Sequence, residues 1–175
     1  MSGTTRSRLD LAFAALLSED DVHALEALDR IGRDGDARAI PHLLNTLARS
    51  TSTAVRQRTT ALLHQVKAPG AGTELLKALD DPALAGVRRD IVAVFWNAGI
   101  DVRDHLERFI TLAIEGDAHV CFECLTVVEN QEIWPEKAAR LGLARVKKAA
   151  TDERDPYKAA MLADLVQELE QRLGG

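Results

Sequence analysis

The sequence predicts an all-helical protein built from stacked helix pairs, on three observations. Apolar residues recur at helical spacing along nearly the whole chain, while strand alternation is nowhere sustained. The breaks between apolar stretches are short and carry the residues that start and stop helices. One apolar pattern also recurs along the chain at intervals of 35, 32, 33 and 38 residues, the mark of a helical repeat array.

Five helix pairs follow in order, at residues 6–32, 37–67, 71–99, 101–131 and 133–173, within a single domain spanning 1–175. The first pair opens on "RSRLDLAFAALLSEDD". Asp10 interrupts its apolar run, and acid rather than a small-residue cleavage site follows, so an amphipathic helix is expected and not a signal peptide. Ser18 and the run Glu19-Asp20-Asp21 suit the start of the next helix, where carboxylates meet the positive end of the helix dipole. The second pair follows Gly32–Asp36 and turns at the "STST" of Ser50–Thr53; the third follows "APGAG" at Ala68–Gly72 and turns at Asp81-Pro82. The fourth follows Gly99–Asp101 and turns at Gly116-Asp117; the fifth holds a long helix after Trp134-Pro135 and turns at Asp155-Pro156. In each Asp-Pro the aspartate is expected to cap the helix while proline takes its first position, where no N–H is needed.

The repeat is clearest in the second helix of each pair, counted from anchors at Asp20, Val55, Val87, Val120 and Lys158. Offsets of four, five, seven, eight and eleven trace one face of a helix. They give Ala24, Leu25, Ala27, Leu28 and Ile31; then Thr59, Thr60, Leu62, Leu63 and Val66; then Ile91, Val92, Val94, Phe95 and Ala98. The last two copies give Cys124, Leu125, Val127, Val128 and Gln131, then Leu162, Ala163, Leu165, Val166 and Leu169. One pair cannot hide such a stripe alone, so stacking of neighbours supplies the core.

The stretches "AIPHLLNTL…TAVRQRTTALLHQV" and "ELLKALDDPALAGVRRDIVAVF" resemble HEAT repeats, the short kind in bacterial proteins and bilin-lyase-like proteins. The markers are the A-I-P of a first helix, the turn aspartate at Asp80 or Asp81 and at Asp117, and the V-R that opens second helices at Val55-Arg56 and Val87-Arg88. Asp20 at the valine position and Cys121 at the arginine position depart from the pattern. The resemblance implies a right-handed α-solenoid, an α-α superhelix of about five antiparallel helix pairs, with second helices lining a concave docking side. It also implies that Arg56 and Arg88 are scaffold, pairing with turn aspartates.

Composition narrows the function classes. The formal charge of −5 argues against nucleic acid as the main partner. No apolar run approaches the roughly 20 residues of a membrane span, and two cysteines three apart make no disulfide framework, so a cytoplasmic protein is expected, and a monomer. Acid is concentrated in residues 10–36 and 101–132, each with eight Asp or Glu against two Arg, whereas Arg140, Arg145, Lys147 and Lys148 form a small basic patch. That patch reads first as a solvated face.

The C-x-x-C of Cys121 and Cys124 has the spacing of a redox dithiol or half a zinc site, but the repeat offers a plainer account. Cys124 falls at a core offset and Cys121 at the arginine position, expected half exposed. Two thiols and His119 on one helix do not make a tetrahedral site unaided. The five histidines are scattered, and no nucleophile elbow, phosphate loop or dinucleotide fingerprint occurs. No catalytic residue, metal ligand or cofactor is therefore assigned.

A protein-interaction module or adaptor is the expected function, with a bilin-lyase-type enzyme subunit and a nucleic-acid-binding HEAT-like protein as alternatives implied by the resemblance. The candidate partner-binding face is read at offsets opposite the core stripe. It comprises His64, Arg89, Trp96, Asn97, Phe122, Glu123 and Glu129. Trp96 and Phe122 either anchor a partner there or turn into the packing between repeats.

Overall fold

The computed structural model describes residues 2–174, with side chains described from residue 8 onward. Ten α-helices and two short 3-10 segments account for its regular structure, and no strand occurs among the described residues. The helices are α1 (Ser2–Ala15), α2 (Asp21–Asp34), α3 (Ala39–Arg49), α4 (Thr53–His64), α5 (Ala71–Ala78), α6 (Arg88–Asn97), α7 (Leu106–Glu115), α8 (Ala118–Asn130), α9 (Glu136–Asp152) and α10 (Pro156–Gly174). The chain divides into two compact units, one ending at Ala98 and the other beginning at Gly99.

Helix starts fall where capping chemistry places them. The Asp20 carboxylate accepts the Val22 N–H at 2.9 Å and opens α2. Ser52 caps α4 through the Val55 N–H, and Asp117 caps α8 through the Val120 N–H. Both Asp-Pro pairs act as expected: Asp81 accepts from the Ala83 N–H ahead of the 3-10 segment Pro82–Val87, and Asp155 accepts from the Tyr157 N–H at the start of α10. Each such cap satisfies a backbone donor that the first helical turn leaves without a partner, worth about 1 kcal/mol. At the far end of α6, Gly99 adopts φ 63°, the left-handed conformation that closes helices and that glycine enters without a Cβ penalty.

In the first unit α1 packs on α2, α3 on α4 and α5 on α6, while α2 also meets α4 and α4 meets α6. In the second unit α7 packs on α8 and α9 on α10, with α7 against α9 and α8 against α10. Ion pairs and hydrogen bonds fix the register. Asp21 accepts from the Ser52 hydroxyl and Asp29 from Arg58, so α2 and α4 run parallel with matching ends together.

The apolar offsets form the core, with Leu28, Leu63, Ile91, Phe95, Val128, Leu162 and Leu165 almost fully covered. Burying side chains of this size contributes about 1.5 to 3 kcal/mol each. Seven offsets depart from expectation, among them Leu25, Thr60, Val66, Gln131 and Val166, which are half-buried. Leu62 is only half-buried, its Cδ2 lying against the backbone of Gly32 rather than inside the stack, and Ala163 is exposed. The stripe drifts because the core face of a straight helix does not repeat over whole turns.

A second regularity, not visible in the apolar pattern, is cationic closure of helix C-termini. Arg56 donates to the Leu47 carbonyl in the last turn of α3, Lys67 to the Ala98 carbonyl after α6, Lys158 to the Ile114 carbonyl of α7, and Arg172 to the Glu129 carbonyl of α8. Carbonyls at these ends lack intrahelical donors and carry the negative end of the dipole, so a cation from the neighbouring segment satisfies both. This corrects the role expected for Arg56: it is scaffold, but its bond shown here is to a helix-end carbonyl and not to a turn aspartate.

Candidate protein-docking faces

The candidate residues of the first unit lie at the C-terminal halves of α4 and α6. His64 ends α4 and is half-buried; Trp96, near the end of α6, is also half-buried. These two helix ends are tied together by Lys67, whose ammonium reaches the Ala98 carbonyl. Asn97 is exposed and donates its amide to the Ala93 carbonyl at 2.9 Å, while Arg89 pairs with the adjacent Asp90 at 3.0 Å. Polar side chains here are thus largely satisfied along their own helix.

In the second unit the candidates share α8. Phe122 is 50% exposed on the outer face of the helix, so it does not fill the packing between helices. Behind it on that face come Thr126, which donates to the Phe122 carbonyl, and Asn130, which donates to the Thr126 carbonyl. Glu123 is half-buried and Glu129 exposed. The Glu129 carboxyl is pushed above the ordinary carboxylate range, first by partial desolvation and then by the carboxylates of Glu168 and Asp164 on α10, with Arg172 opposing.

Glu168 and Arg172, ten and fourteen residues after Lys158 on α10, fall outside the recurring offsets, so the pattern gives no signal for them. Arg172 bonds the Glu168 carboxylate and the carbonyls of Glu129, Gln131 and Glu132, so its donors are committed to the α8 terminus. Among the described residues, neither Glu129 nor Asp164 makes an ion pair. The α8–α10 face therefore combines one exposed aromatic ring with two carboxylates, Glu129 and Asp164, that are not ion-paired.

The cysteines stand apart from this face. Cys124 is in the core as expected; Cys121, expected half exposed, is fully buried. Burial pushes the Cys121 thiol up to about 11 and the Cys124 thiol well above its ordinary value. Cys121 is buried because α10 covers it: Lys158 and Glu153 are close enough to act on its charge. Reactive cysteines need a stabilised thiolate, and here the environment favours the thiol. Among the described residues no group of three or more His, Cys, Asp or Glu is placed to hold a metal ion.

Three of the four cations of the basic patch on α9 are engaged within the unit. Arg140 pairs with Glu136 at 2.7 Å, Lys147 pairs with Glu170, and Arg145 bonds the Thr111 hydroxyl and faces Glu107. In the first unit the turns before α2 and α4 frame a polar cleft of about 480 Å³, whose walls include Glu19, Asp21, Asn45, Arg49 and Ser52. No helix among the described residues is long and apolar enough to cross a membrane.

No protein-family model matches this sequence, and no curated protein matches it significantly.

Proposed function

We propose that the chain is a HEAT-like α-solenoid that works as a non-catalytic interaction module or adaptor, docking a partner protein on the outer faces of its second helices. The observation that carries this reading is Phe122, a large aromatic side chain left half exposed on a helix whose opposite side is core. Burying such a ring at the centre of an interface is how a few residues come to dominate binding. The side-by-side packing of α2 with α4 and of α8 with α10 supports the stacked-pair architecture. The closed ion pairs of α9 favour a protein partner over nucleic acid, since they leave few cations for phosphates.

The test is photo-crosslinking in the organism of origin, with a benzophenone amino acid placed at Phe122 and, as control, at Lys148 on the outer side of α9. A discrete protein adduct from position 122 and none from 148 supports docking. No adduct, or the same adducts from both positions, overturns it.

A further inference from the structure

Resting on the interaction-module reading, we infer that the α8–α10 face is built for a cationic amphipathic segment of a partner protein, with Phe122 seating an apolar residue and Glu129 and Asp164 receiving arginine or lysine. Three observations choose this occupant. Phe122 is 50% exposed, which supplies an apolar anchor point. α8 and α10 pack together, and the carboxylates of Glu168 and Asp164 on α10 lie close enough to act on Glu129 of α8; Glu168 is paired with Arg172, so Glu129 and Asp164 are the like charges that a cation would relieve. Arg172 offsets part of the charge at Glu129 but forms no ion pair with Glu129 or Asp164, because it spends its donors on Glu168 and on carbonyls at the end of α8.

The neutral hydrogen-bonding groups beside the ring are also occupied. Thr126 and Asn130 each donate to a carbonyl of their own helix. Specificity on this face is left to charge and to the ring. An acidic segment would add to the repulsion, and a purely apolar one would cover carboxylates without replacing their water. A segment that alternates basic and apolar residues at helical spacing meets both demands.

The experiment titrates the intact isotope-labelled protein with two helical peptides of about 18 residues, identical in their leucines but carrying arginine or glutamate at the polar positions. The arginine peptide is expected to shift the amide signals of α8 and α10 around Phe122, Glu129 and Asp164, and to weaken as salt rises from about 50 to about 500 mM. Phe122→Ala and the charge reversal Glu129→Lys with Asp164→Lys are each expected to weaken it at least roughly tenfold. Circular dichroism on each variant confirms that the helices persist. Absence of shifts from the arginine peptide, equal binding of the glutamate peptide, or indifference to the charge reversal overturns the inference. So does concentration-dependent self-association lost in Phe122→Ala, which assigns the face to a second copy of the chain. These outcomes are separable from failure of the broader reading, because a crosslinked partner at position 122 whose binding ignores both salt and charge reversal leaves the module intact and removes only the cationic occupant.

Discussion

The ammonium of Lys158, at the start of α10, lies 2.7 Å from the Ile114 carbonyl in the last turn of α7 and 3.1 Å from the Glu153 carboxylate. The lysine is only 9% exposed, standing where three earlier stretches of the sequence pattern carry Val55, Val87 and Val120 and the first carries Asp20. Its stem fills the apolar slot while its head closes a neighbouring helix, a division of labour open to long cationic side chains.

Removing that head while keeping the stem is the sharpest test of the closure. Lys158→Met is expected to destabilise the protein, because it removes the ion pair to Glu153, leaving that carboxylate only the Arg154 and Asp155 backbone N–H groups, and leaves the Ile114 carbonyl short of a donor. Urea unfolding measures it. Adding Glu153→Gln to Lys158→Met is expected to recover part of the loss, and strict additivity would show that the two groups do not act together.

Core depth separates two adjacent leucines of α4. Leu63 is 1% exposed, whereas Leu62 is half-buried against Gly32. Leu63→Ala is therefore expected to cost about 2 to 5 kcal/mol and Leu62→Ala clearly less. Equal losses in denaturant melts would mean that the core face of α4 is rotated from its position here.

The thiols make a prediction about alkaline pH. Cys121 holds its proton to about 11 when folded, against an ordinary value of 9.0. Between those values the unfolded chain has lost the proton and the folded chain has kept it, so this group's contribution to stability falls as pH rises through that window. Replacing it with Cys121→Ala is expected to flatten the decline of stability between pH 9 and 11 relative to the unmodified protein. At neutral pH both thiols are expected to react with a disulfide reagent only as fast as the helices open; immediate reaction of either would contradict their burial.

Helix content and most of the core were legible because a period near 3.6 and capping residues are local signals, as Asp117 before α8 and Asp155-Pro156 before α10 illustrate. What escaped the sequence depends on neighbours distant in the chain. Arg56 was legible as scaffold, but its bond to the Leu47 carbonyl required the position of one helix end beside another. The burial of Cys121 required α10, which begins 35 residues later. Phe122 and Glu129 were found by their offsets opposite the core stripe, whereas the charge of Glu168 beside Glu129 arises only once α8 and α10 lie together.

The central claim is that Phe122 serves docking and not folding, and Phe122→Ala measures it directly when thermal unfolding is paired with binding to the partner recovered through position 122. At an exposed site the substitution is expected to change stability by no more than about 0.5 kcal/mol, while loss of an interface anchor weakens binding roughly 30-fold or more. A fall of several degrees in the melting temperature with binding unchanged would place Phe122 in the core and contradict the account.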